Sequence, residues 1–295
     1  MNNSNNSSTV FVAGATGSLG GEICRQLTGK NKNVRGLVRA TSDPEKVTKL
    51  KEANVEIVVG DLKDKLSLEK ALQGVSSVIS TVSCTFSRQE GDSIQTVDDE
   101  GQINLIKAAV SAGVGQFVFV SFCDMKEGFP LQDAKRKVEK HVAESGLNYT
   151  ILQPTFYMES WLSPALGFDY PNAKATIYGE GKNRISWIAV KDVAAMAVAS
   201  LDNPATKNRH IELGGTALSP LEVVSIFEAS HGKKFELQFV TAKALKEQKD
   251  AAQDPLSESF AALMLAFSRG SEINTKEAMD IFPMQLTSVN DYAKS

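Results

Sequence analysis

The stretch that decides the fold runs Val10-Phe11-Val12-Ala13-Gly14-Ala15-Thr16-Gly17-Ser18-Leu19-Gly20-Gly21. It opens with Val10–Ala13, a short apolar run of strand length. A GxxGxxG loop from Gly14 to Gly20 follows, and then a segment, Gly20–Leu27, with helical spacing. A glycine loop between a strand and a helix is the context in which backbone can hold a pyrophosphate. Gly14 permits the tight turn, Gly17 allows close approach to the phosphates, and Gly20 lets helix and strand pack together. The helix N-terminus then offers unpaired N–H groups and the positive end of its dipole to an anion. The competing reading is a plain strand–helix turn.

Outward from this loop, strand-like and helix-like segments alternate. Val34–Val38, Val55–Val59, Ser77–Thr81, Phe117–Val120, Tyr149–Leu152 and His210–Leu213 read as strands. Ile103–Ala112, Ala134–Ser145 and Val193–Leu201 read as helices. Such alternation implies βαβ units and a parallel sheet, and continuously apolar strands suit a sheet covered on both faces. The fold class is therefore α/β, a Rossmann-type doubly wound parallel sheet with a smaller C-terminal substrate lobe. Ser219-Pro220-Leu221-Glu222 combines an N-cap, a proline at the first helical position and the third residue of a capping box. Phe235–Val240 alternates like an edge strand, and Asp192 reads as an N-cap before Val193. The domain reading is a disordered tail at 1–8, an NAD(P)-binding body at 9–155 to which 190–214 returns, and a substrate lobe from 156–189 and 215–295.

Composition removes several classes. With 32 Lys plus Arg against 35 Asp plus Glu, the net charge of -3 argues against a dedicated nucleic-acid binder. No apolar run reaches the roughly 18 residues of a membrane span; the longest stretch, Trp187 to Leu201, contains Lys191 and Asp192. The Asn- and Ser-rich start lacks a signal peptide's basic and apolar regions. Three cysteines without a CxxC, and three scattered histidines, offer neither a disulfide framework nor a metal site. A cytoplasmic protein is expected, monomeric or homodimeric, with a small-molecule substrate and no nucleic acid, membrane or metal.

The cofactor can be read further. An NAD-preferring fold places an acidic residue about 20 residues on, at the end of the second strand. Here that strand ends Leu37-Val38-Arg39-Ala40-Thr41-Ser42, an arginine and two hydroxyls with no carboxylate. A guanidinium matches phosphate geometry, so Arg39 favours NADP; stacking on adenine or facing solvent is the alternative. After the third strand, Gly60-Asp61-Leu62 places an Asp to accept from the adenine amino group or to form an Asx-turn. Ser80-Thr81-Val82-Ser83 ends the fourth strand with small residues that allow a dinucleotide close to the backbone.

Taken in order, these segments resemble the NmrA-like, atypical branch of the short-chain dehydrogenase/reductase superfamily. The resemblance covers nearly the whole chain. It rests on the GATGSLG loop at Gly14, "GLVRA", "GDL", "GQINLIKAAVSAGVGQFVFVSF", "NYTILQPTFYMES", "WIAVKDVA" and the closing "TSVNDY". It implies Gly14, Thr16, Gly17, Ser18, Leu19, Gly20, Arg39, Asp61, Leu62, Thr81, Val82 and Ser83 as cofactor-binding residues. Pro154, Thr155 and Phe156 are expected to pass the nicotinamide.

The superfamily's usual apparatus is a Ser with a Tyr and Lys spaced YxxxK, the Lys lowering the phenol pKa. This chain departs from it. Ser121 matches the Ser, but Leu131 stands four residues before Lys135, and no YxxxK occurs. Isoflavone-reductase-like members imply instead that Lys135 contacts the nicotinamide ribose and acts as acid or base; the alternative is a solvated surface lysine. Lys137 and Lys140 are assigned to the surface. Tyr157 is the candidate phenol if Lys135 is not the donor. Phe156, Tyr157, Met158 and Trp161 form either an apolar wall for a flat conjugated substrate or ordinary core. Cys84 and Cys123 follow strand ends, as redox-responsive thiols or small fillers.

The resemblance implies an NADPH-dependent reductase of quinones, enones or other electrophilic carbonyl compounds. The missing Tyr keeps a non-catalytic NADP(H) sensor acting through a protein partner as the alternative. A nucleotide-sugar epimerase is the third reading.

Overall fold

The computed structural model describes residues 8–85 and 88–294. The expected tail at 1–8 therefore lies outside the described residues except for Ser8, which is exposed. The chain forms two compact units. The first contains residues up to Ser121, with Ala134–Leu152 and Ala194–His210; the second contains Phe122–Asp133, Gln153–Val193 and Ile211–Ser295. Among the described residues no helix is long and apolar enough to cross a membrane.

A seven-stranded sheet carries β1 (Thr9–Ala13), β2 (Asn33–Val38), β3 (Glu56–Val59), β4 (Val75–Ser80), β5 (Gln116–Val120), β6 (Asn148–Pro154) and the strand Arg209–Leu213. The spatial order is Arg209–Leu213, β6, β5, β4, β1, β2, β3. Strands β1 to β6 pair in parallel. The order reverses between β1 and β4, and ligands of open α/β sheets bind at such a switch point, beyond the carboxyl ends of the strands. The register places Ala13 beside Ser80, so the glycine loop and the Thr81–Ser83 segment leave the sheet side by side. The Rossmann-type α/β expectation is met.

Helix α1 (Ser18–Gly29) buries Gly20, Ile23, Cys24 and Leu27, one stripe at helical spacing. Helices α2 (Pro44–Glu52) and α3 (Lys65–Ala71) start at Asp43 and Asp64, whose carboxylates accept from first-turn N–H groups. Before α4 (Glu100–Ser111) the chain makes a wide π-helical turn, Ile94–Asp99, capped reciprocally by Ser93 and Thr96. Phe11, Leu68, Val78, Leu105, Phe117, Phe119 and Val138 share one core. Helix α5 (Pro130–Glu144) contributes Val138 and Val142 to it.

The second unit holds a three-stranded sheet in which Glu236–Val240 is the edge strand, as its alternation predicts. The cap at Ser219 forms as read: its side chain accepts from the Glu222 N–H, and Glu222 accepts from the Ser219 N–H. The Asp192 reading is corrected. The helix begins earlier, at Val190, so Asp192 already lies in its first turn. Its carboxylate accepts instead from the N–H and hydroxyl of Thr287. The N–H of Val190 donates to Glu159, a carboxylate brought from 31 residues away. Residues 241–270 form two helices, Ala242–Asp250 and Pro255–Arg269. Glu127 accepts from Lys249 at 2.5 Å and from Arg269.

Candidate dinucleotide site

The glycine loop is built as its spacing requires. Gly14 has φ +85°, and a Cβ there would lie 2.6 Å from the Thr81 hydroxyl. A Cβ on Gly20 would lie 2.1 Å from the Gly14 carbonyl oxygen, closer than any side chain tolerates. The N–H of Gly17 donates to that same carbonyl at 2.9 Å, closing the turn. Helix α1 begins without a side-chain cap and with no acidic residue in its first turn. Its first N–H groups and positive dipole end are left for an anion.

Beside this loop lies a cleft lined by residues of four strand ends. Gly14, Thr16 and Gly17 come from the first, Arg39 and Ser42 from the second, Asp61, Leu62 and Lys63 from the third, and Thr81, Val82 and Ser83 from the fourth. Nine of the residues expected at a cofactor are thereby brought together: Gly14, Thr16, Gly17, Arg39, Asp61, Leu62, Thr81, Val82 and Ser83. The other expected residues, Ser18, Leu19, Gly20, Lys135, Pro154, Thr155 and Phe156, do not line the cleft; Ser18 to Gly20 form the start of α1, with Gly20 buried. Thr81 is fixed at the switch point by donating its N–H and hydroxyl to the Ala13 carbonyl.

Asp61 makes the Asx-turn that the sequence left open, accepting the Lys63 N–H at 2.8 Å, and still lines the cleft. Arg39 is partly buried and paired rather than simply facing solvent. Its Nη1 donates to Asp92, whose side chain is 1% exposed, at 2.5 Å. Lys63 donates to the other Asp92 oxygen and to Asp61 at 3.1 Å. Burial alone would raise the Asp92 carboxyl, but hydrogen bonds from Lys63, the Gln89 N–H and Arg39 outweigh it and hold the group below its ordinary value. Lys63 is also desolvated, yet its bonds to Asp92 and Asp61 hold its ammonium above the usual lysine value. Sequence reasoning missed Lys63 and Asp92. Lys63 directly follows the Gly60-Asp61-Leu62 signal, whereas Asp92 sits in a loop with no periodicity to mark it.

Lys135 is not a solvated lysine. Its side chain is 5% exposed, and Nζ lies 3.3 Å from Asp98 Oδ1, whose side chain is 0% exposed. Nζ also donates to the Val82 carbonyl at 3.3 Å and stands 5.2 Å above the Phe119 ring. Lys137 and Lys140, 53% and 73% exposed, are at the surface as expected. Ser121 is buried, and its hydroxyl accepts from Arg136 at 3.5 Å. Leu131, where the missing Tyr would stand, is buried and apolar.

The second unit receives Pro154, Thr155, Phe156 and Tyr157. The Pro154 carbonyl accepts from the Cys123 N–H, and the Thr155 hydroxyl donates to the Ser186 carbonyl. Phe156 and Met158 are core, 2% and 1% exposed, rather than a free wall. Phe156 meets Trp161 and Phe267 edge-on at 4.7 and 5.3 Å. Trp161, Tyr178, Trp187 and Phe267 line a small apolar cavity in this unit. The Tyr157 hydroxyl is buried without a hydrogen-bond partner. Burial, and then the nearby Glu159 carboxylate, push its phenol upward, opposite to what acid–base work near neutral pH needs. Cys84 and Cys123 are buried at 1% and 0% exposure. Desolvation and the neighbouring Asp98 push the Cys84 thiol up to about 12, so it is a filler and not a reactive thiolate.

The model of the NmrA-like family matches residues 6–293. The NAD(P)H azoreductase of Xenophilus azovorans is 30% identical, with 81% of this chain and 79% of that protein covered. Photosystem II assembly factor Ycf39 of Synechocystis sp. is 32% identical over 80% of this chain and 72% of its own. The Escherichia coli NADPH-dependent quinone oxidoreductase, solved with NADPH, superposes with a TM-score of 0.77 at 23% identity, covering 96% of this chain and 98% of that one. At that identity the superposition shows the fold.

Proposed function

The chain belongs to the NmrA-like family, and from that premise we propose that it is an NADPH-dependent reductase of flat, conjugated electrophiles such as quinones, enones or azo compounds. The observation that carries the reading is the cleft at the β1/β4 switch point, with an uncapped helix N-terminus at one end and Arg39 and Lys63 at the other. The residues present fit the cofactor. Backbone N–H groups of the glycine loop would hold the pyrophosphate. Arg39, Ser42 and Lys63 would take the 2′-phosphate, which a carboxylate at the end of β2 would repel. Lys135 would hold the nicotinamide ribose. When bound, the reduced nicotinamide supplies a hydride.

The missing Tyr narrows the substrate class. A simple ketone becomes an alkoxide on accepting hydride and needs a positioned acid. A quinone becomes a phenolate, akin to tyrosine with a pKa of about 10, and takes its proton from water. The chain lacks YxxxK and its Tyr157 phenol is pushed upward, so acceptors of the second kind suit it. The azoreductase relative supports a flat, conjugated acceptor.

A second reading keeps one observation in its favour. A relative at 32% identity is named an assembly factor, and Leu131 stands where a catalytic Tyr would. In that reading the chain binds NADP(H) and acts through a protein partner. Calorimetry with NADPH, NADP, NADH and NAD, followed by menadione, an enone and an azo dye added to the NADPH complex, separates the two. Oxidation of NADPH on adding an acceptor supports the reductase. Tight binding without oxidation supports the partner-directed reading, and no binding overturns both.

A further inference from the structure

The wholly buried Asp98 carboxylate demands an explanation. Removing a carboxylate from water carries a large penalty that must be met by a paired charge and hydrogen bonds. Oδ2 accepts the Cys84 N–H at 3.0 Å. Oδ1 accepts no hydrogen bond and faces the Lys135 ammonium at 3.3 Å. The ammonium has three N–H donors. One goes to the Val82 carbonyl at 3.3 Å and one faces Asp98. The third has no protein acceptor among the described residues, and Val82 itself lines the dinucleotide cleft.

The π-helical turn Ile94–Asp99 arranges this. It ends in two adjacent acids that pair with two lysines of α5. Asp99 takes Lys137 at 2.6 Å on the surface, while Asp98 takes Lys135 in the interior. Wide turns of this kind recur at functional sites. We propose that Asp98 is the positioning residue of Lys135. It fixes the ammonium on the carbonyl of Val82, the residue that lines the cleft, so that the third N–H is left to meet a hydroxyl of the nicotinamide-side ribose. Asp98 itself touches neither cofactor nor substrate. The inference rests on the NADPH reading above and adds a residue to it.

The test uses two ligands. NADPH carries both riboses, whereas 2′,5′-ADP carries only the adenosine half with its 2′-phosphate. Asp98→Asn keeps an acceptor for Cys84 and removes the charge. It is expected to weaken NADPH about tenfold, the scale of one charge-assisted hydrogen bond, and to leave 2′,5′-ADP unchanged. Lys135→Met should show the same split, and Asp98→Asn combined with Lys135→Met should bind NADPH no more weakly than Lys135→Met alone. That double variant also removes both buried charges, so it remains informative if Asp98→Asn does not fold. Equal loss of both ligands in Asp98→Asn would show that the carboxylate only supports the fold. Unchanged NADPH affinity, or a further loss in the double variant, overturns the inference too. A wild-type protein that binds neither ligand overturns the cofactor reading itself.

Discussion

Arg39 Nη1 lies 2.5 Å from Asp92 Oδ2, and the carboxylate that receives it is almost fully buried while the guanidinium is 26% exposed. The arginine is therefore held at the cleft by a carboxylate that also lines it. Lys63 is tethered by the same carboxylate.

Removing that tether has a direct cost. Asp92→Asn leaves Arg39 and Lys63 beside each other without their shared counter-charge. Both cations are partly exposed, so solvent screening limits the loss to about 2 kcal/mol. Urea unfolding should show a lower midpoint with an unchanged slope.

Arg39→Ala tests cofactor choice. A lost guanidinium–phosphate contact is expected to weaken NADPH by roughly 10- to 100-fold. NADH, which lacks the phosphate, should bind as it does to wild type. Calorimetry of the two cofactors checks the difference, and equal losses would show that Arg39 does not read the phosphate.

Two glycines of α1 make a paired test. Gly20→Ala forces a Cβ against the Gly14 backbone at 2.1 Å, and the loop has no flexible side chain there to yield. Destabilisation at the top of the roughly 1–3 kcal/mol range for overpacking is expected, with loss of cofactor binding. Gly29→Ala meets nothing within 4 Å and should stabilise by up to about 1 kcal/mol. Thermal unfolding of both variants checks the contrast.

Acid should loosen both units through identifiable groups. The hydrogen bond from Lys249, then that from Arg269, holds the Glu127 carboxyl below its ordinary value despite partial burial, and Asp92 is also depressed. A carboxyl depressed in the folded state stabilises fully above its unfolded pKa of about 4. That contribution fades as pH falls through the lower, folded value. Stability measured from pH 7 to 3 should hold until about pH 5 and fall below it. Glu127→Gln should lower stability at pH 7 and flatten the acid limb.

Thiol chemistry gives a simple check of burial. Desolvation pushes the Cys24 and Cys84 thiols up to about 12. Neither should react with Ellman's reagent at pH 8 in the native protein, and both should react after unfolding. Prompt native labelling of Cys84, followed by peptide mapping, would contradict the placement of Asp98 beside it.

Much of the fold is local information. The Val10–Gly20 segment carries a strand, a turn needing φ above zero and a helix start within a few residues, and all three form, the helix beginning at Ser18, two residues before the Gly20 read from the spacing. The Ser219–Glu222 cap is equally local. Asp192 failed for the same reason in reverse: an Asp near a helix start looks like a cap, but its partner Thr287 lies 95 residues on. Lys63, Asp92 and Asp98 carry no local signal, since charged residues in loops and helix starts are ordinary.

By itself, then, the sequence determined a parallel sheet with a tight glycine turn between its first strand and first helix, and an arginine at the end of the second strand where NAD would want a carboxylate. Hydrophobic period and glycine spacing act over a few residues, so they can be read in one dimension. Only the tertiary structure decided which lysine of α5 is interior, that Phe156 belongs to the core, and that Tyr157 is too deeply buried to act as an acid. In the run Lys135, Arg136, Lys137 and Lys140 the residue types are nearly alike. What separates Lys135 is a buried carboxylate from position 98 and a carbonyl from position 82. Whether a charge can be taken from water depends on the partner that meets it, and that partner is chosen by packing across the fold.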